Sequence, residues 1–242
     1  AGLAEPPVRT LVQYGSLLDF VGQKQIAFSI LDQAVQRYNN GLVFASEDVA
    51  MVALASWLMG NFHDANSLFN EATRANPNNL EAHSLWGDLF LEKYNASDAE
   101  RSYQEAIDIN GRYVPALVGM ANVVGDERAL QRALAINPNS IPAMETYGQL
   151  LMVNGREEEA QDYFERVLAL NPESLKTLSV LASQAALEER SADYQGYLAQ
   201  VESFSPNNPI FLGNVADSFG NNYLFDEAVE FARAAIAADP QY

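Results

Sequence analysis

The stretch Asn137–Pro172, NPNSIPAMETYGQLLMVNGREEEAQDYFERVLALNP, states the rule that organises the whole chain. It opens and closes on Asn-Pro, and Pro138 and Pro172 lie 34 residues apart. Within it, Met144, Tyr147, Leu150 and Leu151 recur at spacings of three and four, which gives a first helix with one buried stripe. Gly155 supplies a left-handed stop after that helix. Glu157, Glu158 and Glu159 then stand in the first turn of a second helix, where the positive end of the helix dipole favours acids. Pro172 lacks an amide hydrogen and biases Asn171 away from helical angles, so the second helix ends there. One such helix pair cannot bury both of its faces; it is stable only in a stack.

Stepping outward by the same interval reaches Pro206 and Pro240, and upstream Pro77 is followed 34 residues later by Gly111, another helix stopper. The units that result are 8–41, 46–79, 80–113, 114–140, 141–174, 175–208 and 209–242, with a tail at 1–7 and an insert at Leu42–Ala45 outside them. Helices approach closely only where side chains are small, so small residues should fall in columns. Position 8 of the units reads Gly15, Ala53, Gly87, Ala121, Gly148, Ala182, Ala216. Position 20 reads Ala27, Ala65, Ala99, Ala160, Tyr194, Ala228, the fourth unit having no counterpart. Position 24 is large instead: Leu31, Phe69, Tyr103, Leu130, Phe164, Leu198, then Ala232.

This order resembles the tetratricopeptide repeat, whose pattern runs Trp-x2-Leu-Gly-x2-Tyr, then Ala-x3-Phe, Ala and Pro. The resemblance covers residues 8–242 apart from the insert. It implies an all-α fold, a single right-handed α-solenoid of stacked antiparallel helix pairs with a concave groove lined by the first helices. In that family positions 2, 5, 9, 12 and 13 face the groove. Carried across, they imply a partner-binding surface of Asp19, Glu47, Leu54, Trp57, Glu81, Ser84, Asp88, Leu91, Glu92, Asn122, Glu145, Gln149, Met152 and Asp217. Arg9 and Lys176 are the only bases there. Some members bind acidic tails through a clamp that needs lysine; position 5 here reads Val12, Ala50, Ser84, Val118, Glu145, Ser179 and Gly213, so the clamp is absent. An acid-lined groove steers cationic partners, and the expected ligand is a protein segment with Lys or Arg flanking apolar anchors. The plainer reading is that the acids keep an elongated surface in solution.

Two departures interrupt the pattern. Unit 114–140 is seven residues short, close to two helical turns, and removing about one turn from each helix beside Gly125-Asp126 would keep the stacking at the other end. Such a shortening is either a neutral surface deletion or a notch that admits a partner. The insert Leu42–Ala45 is a longer link, whose Val43 and Phe44 could cap a neighbouring groove.

Composition excludes several functions. Fourteen Lys and Arg against 32 Asp and Glu leave a net charge of −18, which argues against nucleic acid or an anionic membrane as partner. No apolar run is long enough for membrane insertion. There are no cysteines, which removes disulfides, thiolate metal sites and cysteine nucleophiles. His63 and His83 have no ligand spacing; His83 stands in an apolar column and reads as a packed structural residue, His63 as solvated. Neither a nucleophile elbow nor a phosphate loop occurs, so no catalytic residue, cofactor or metal is expected. The expectation is a non-enzymatic interaction scaffold. The alternative is a substrate-docking or regulatory repeat domain of a larger enzyme such as a hydrolase, motivated by an ending at Tyr242 without a polar capping helix. Self-association through that uncapped unit is a third reading. Composition suggests a bacterial protein, and cytoplasmic and periplasmic locations are both compatible.

Overall fold

The computed structural model describes residues 5–239; Pro240, the ending at Tyr242 and the first four residues of the tail lie outside them. Among the described residues there are fourteen α-helices and no strand, an all-α helical repeat fold. In order they are α1 Val8–Phe20, α2 Lys24–Asn39, α3 Ser46–Leu58, α4 Phe62–Ala75, α5 Leu80–Glu92, α6 Ala96–Ile109 and α7 Val114–Val124. There follow α8 Glu127–Ile136, α9 Ile141–Val153, α10 Glu157–Leu170, α11 Leu175–Leu187, α12 Ser191–Phe204, α13 Pro209–Asn221 and α14 Phe225–Ala238. The chain divides into two compact units, residues 1–146 and 147–242.

In residues 1–146 the helices pack in sequential pairs, α1 on α2, α3 on α4, α5 on α6 and α7 on α8, and successive first helices also touch, α1 on α3, α3 on α5 and α5 on α7. The small and large columns are two halves of one contact. A methyl built on Gly15 would lie 2.6 Å from Leu31, and one built on Gly87 would lie 2.6 Å from the Tyr103 ring. Ala27, Ala34, Ala65, Ala72, Ala99 and Ala106 are wholly enclosed, as are Leu31, Phe69 and Tyr103 against them. The Tyr103 ring also presses on Gly119 of α7, where a methyl would come within 2.2 Å. One side chain of α6 thereby fixes the approach of α5 and α7 together.

Residues 147–242 repeat the arrangement. A methyl on Gly148 would meet the Phe164 ring at 2.6 Å, Tyr147 and Tyr163 lie against each other at 4.9 Å, and Phe219 meets Phe231 edge-on at 5.6 Å. Leu175, Leu178, Ala182, Val201, Phe211, Val215 and Phe219 form the core, with α11 packed on both α12 and α13.

The local signals for turns hold, and the backbone extends them. Gly155 is left-handed at φ 71°, and Gly22 and Gly60 match it at 78° and 81°. The equivalent residue is not glycine in three pairs, yet Tyr94, Glu189 and Tyr223 take the same conformation at 57°, 57° and 64°. A hydrogen-bonded close to the first helix therefore dictates the geometry whichever residue stands there: the amide of the next residue donates to a carbonyl inside the helix, Asn95 to Phe90 and Arg190 to Ala185, each within 2.9 Å. The links between pairs are closed by buried caps. Asn79 accepts from the Ala82 amide, Ser174 from Thr177 and Asn208 from Phe211. Asn79 also donates to Ser46 Oγ at 2.7 Å, and that hydroxyl donates on to the Ala72 carbonyl at 2.9 Å.

The shortened unit loses its seven residues unevenly. Helix α7 is two residues shorter than α5, α8 is four shorter than α6, and the turn between them holds two residues where α5 and α6 are joined by three. The second helix bears most of the loss; Gly125, left-handed at φ 67°, closes α7, and Asp126 caps α8 by accepting from the Arg128 amide. In the insert, Val43 is buried in the core of the first pairs, whereas Phe44 is 80 % exposed and Leu42 67 %. His83 is packed: Nε2 lies 2.9 Å from the Pro77 carbonyl, and Nδ1 lies 2.9 Å from a Glu105 carboxylate oxygen but out of line for a hydrogen bond. His63 is exposed.

Candidate functional site

In residues 1–146 the first helices of the pairs bring their charged residues together on one surface. Arg9 stands in the first turn of α1 and Glu81 in the first turn of α5, with α3 between them. The guanidinium forks onto the carboxylate, Nη1 donating to Oε1 at 2.9 Å and Nη2 to Oε2 at 2.5 Å, a bidentate geometry that arginine alone among the cations supplies. Both side chains remain partly exposed, Arg9 by about two-fifths and Glu81 by about one-third. The bond to Glu81 holds the Arg9 pKa above its ordinary value, and the fields of Glu81 and Asp48 add to it. Tyr113, just before α7, feels the same group: burial raises its hydroxyl pKa, Glu81 and Asp88 raise it further, and Arg9 opposes them.

Two turns along α5, Asp88 accepts from the Tyr103 hydroxyl at 2.6 Å. Burial pushes the Asp88 carboxyl above the usual aspartate range, with the Tyr103 bond pulling the other way. The Tyr103 hydroxyl is pushed far up, first by burial and then by Asp88. At the far end of the same helices, the Trp57 indole donates to Glu92 at 2.6 Å, while Lys93 lies 3.1 Å from Glu92 and 3.0 Å from the centre of the Phe62 ring. Leu54 and Leu91 are half-buried beside them, and Ser84 is buried. Glu47 is exposed and accepts from the Asn76 side-chain Nδ2 at 3.2 Å. Asp19 is half-buried and Asn122 exposed. Glu145, on α9, is only 8 % exposed and offers little to solvent.

In residues 147–242 the corresponding surface is of different character. Gln149 and Met152 of α9, Lys176 and Ser179 of α11, and Asn214, Asp217, Ser218, Asn221 and Asn222 of the α13 region line an open recess of about 470 Å³. Val153 and Val180 line it as well, so its surface is largely apolar, with carboxamides, hydroxyls, one base and one acid set around it. Of the residues expected to line a groove, Glu81, Asp88, Trp57 and Glu92 are thus already engaged within the chain, and Gln149, Met152 and Asp217 converge on one recess. Asp48, Tyr103 and Tyr113 belong with the acidic surface although none occupies a groove position of the pattern. Their positions in the unit, 3, 24 and 34, gave no signal; only the packing of neighbouring pairs brings them in.

Comparison with known proteins agrees with this architecture. Residues 53–113 and 141–174 each match a family model described as Tetratricopeptide repeat. A thermophilic TPR protein of Thermus thermophilus is 17 % identical over 72 % of this chain and 99 % of its own, with a TM-score of 0.63. The pilF protein of Pseudomonas aeruginosa is 16 % identical over 81 % of this chain and 93 % of its own, at 0.58. The Cut9–Hcn1 hetero-tetramer of the APC/C is similar over 96 % of this chain and 46 % of the matched chain, at 14 % identity and 0.67. These likenesses are of fold. No curated protein matches the sequence.

Proposed function

We propose that this chain, a tetratricopeptide-repeat protein, holds a segment of a partner protein on the surface formed by the first helices of its pairs, the partner presenting cationic side chains around apolar anchors. Proteins of this family generally mediate protein–protein interactions. No helix among the described residues is long and apolar enough to cross a membrane. The observation that carries the finer reading is the gathering of Asp48, Glu81 and Asp88 around Arg9 and Tyr113, with half-buried Trp57, Leu54 and Leu91 further along the same helices. Carboxylates in a partly enclosed surface attract and orient cations, and the indole and leucines supply the apolar contact that charge alone lacks.

The test is titration with an amphipathic peptide bearing Lys and Arg between apolar residues, followed by tryptophan fluorescence; Trp57 and Trp86 are the only tryptophans. Affinity should fall as ionic strength rises from about 0.05 to 0.5 M, because the contacts are solvent-screened. Replacing Asp48→Asn, Glu81→Gln and Glu92→Gln together should weaken binding about tenfold or more. Binding that is insensitive to both salt and the triple replacement refutes the reading.

A further inference from the structure

The acidic surface of residues 1–146 already contains a bound cation, and the chain supplies it. Arg9 does not pair with a neighbour on its own helix or on α2; it reaches over α3 to a residue 72 positions away. Its fork fits the Glu81 carboxylate through both oxygens, Asp48 adds its field from the first turn of α3, and the Tyr113 hydroxyl stands close enough to feel both Arg9 and Glu81. Within a surface otherwise rich in carboxylates, the one base among the groove positions of these pairs is thus committed to Glu81. Arg9 and Glu81 both keep a third or more of their side-chain surface in water, so the pair can open without unpacking either helix.

We propose that Arg9 is an internal stand-in for a partner's arginine: it closes a strap across α3, and an incoming guanidinium takes its place on Glu81. The inference rests on the groove reading above and adds the chemistry of recognition, a planar bidentate cation in preference to an ammonium. A site masked by its own chain binds with an apparent affinity reduced by the fraction of time it stands open. A partly exposed bidentate pair closed for about two-thirds to nine-tenths of the time lowers affinity about threefold to tenfold.

The experiment uses the full chain with L-argininamide as probe and L-lysinamide as its control, at low salt, followed by chemical-shift changes at residues around Glu81. Three variants are compared with the parent: Arg9→Gln, Glu81→Gln, and the double replacement. The expected result is tighter binding of argininamide to the Arg9→Gln protein than to the parent, by about threefold to tenfold. The gain should be much smaller for lysinamide and should vanish when Glu81→Gln is added. Unchanged or weaker binding to the Arg9→Gln protein overturns the inference, as does an equal gain for lysinamide. Circular dichroism melts of each variant show that any loss is not unfolding. The two readings fail separately. Peptide binding that depends on the acids without a gain from Arg9→Gln removes the strap alone. A gain in argininamide binding without salt-dependent peptide binding removes the wider groove.

Discussion

Replacing Gly119 by alanine tests the packing that spaces α5 and α7. The added methyl would stand 2.2 Å from Tyr103 Cε1 and 2.4 Å from Cζ, far inside contact distance. The ring has little room to retreat, since it packs so closely on Gly87 that a methyl built there would also lie 2.6 Å from it, and the side chain is wholly buried with its hydroxyl held by Asp88. Forced insertion of a methyl into such a core costs about 1–3 kcal/mol, and this close packing takes the site to the upper end, about 3 kcal/mol. Alanine in place of glycine within a helix returns about 1 kcal/mol. The net expectation is a loss of about 2 kcal/mol, read from urea denaturation. A double-mutant cycle then isolates the cause: Tyr103→Leu in the Gly119→Ala background should cost less than the sum of the two single changes, because the smaller side chain leaves room for the methyl. A Gly119→Ala protein as stable as the parent, or strictly additive costs, would show that the ring is not what holds α5 and α7 apart.

Two further outcomes follow from the geometry. Asp88 has a folded-state pKa above its unfolded value, so its titration favours the folded state fully below the ordinary aspartate pKa, and that contribution is lost as pH rises through the folded value. The stability of the parent relative to an Asp88→Asn variant, which keeps an acceptor for Tyr103, should therefore decline from acid pH towards neutrality in thermal melts; a difference that is flat or rises with pH contradicts the burial assigned to this carboxyl. Tyr94 is 98 % exposed and left-handed at φ 57°, a conformation that penalises any side chain, so Tyr94→Gly should raise stability by about 0.5–1 kcal/mol in chemical denaturation. A destabilised variant would mean that the tyrosine makes a contact worth more than its strain.

Much of the fold is legible in the sequence because the repeat writes the same contact many times over. Gly15 with Leu31, Gly87 with Tyr103 and Gly148 with Phe164 are each 16 residues apart, and aligning the units is enough to expose the pairing. The left-handed position after the first helix is legible at Gly155 but not at Tyr94, Glu189 or Tyr223, where the backbone imposes the angle on residues that do not advertise it. The caps Asn79, Ser174 and Asn208 carry a readable signal, a polar residue just before an apolar periodic run, which the proline spacing overshadows. The division of the seven-residue loss between α7 and α8 is not legible, because length alone does not say which helix yields. Of the candidate surface, the pattern names the acids but not their engagements. That Glu81 is held by Arg9 and Glu92 by Trp57 depends on how neighbouring pairs are rotated against one another, which no spacing within a single unit encodes.

The shortened pair carries a consequence for how such a chain can change over generations. Helices α7 and α8 lose length only toward the tip at Gly125, while the four-residue links at 110–113 and 137–140 that join the pair to its flanking helices keep the length of the link at 76–79. The tip is therefore a free parameter of the architecture. Turns added or removed there alter the outline of the molecule without asking any other pair to adjust, whereas a single residue added at a link would rotate everything beyond it. Variation in length should accumulate at the tips, and a foreign loop grafted beside Gly125 would be tolerated where the same loop at Asn137 would not.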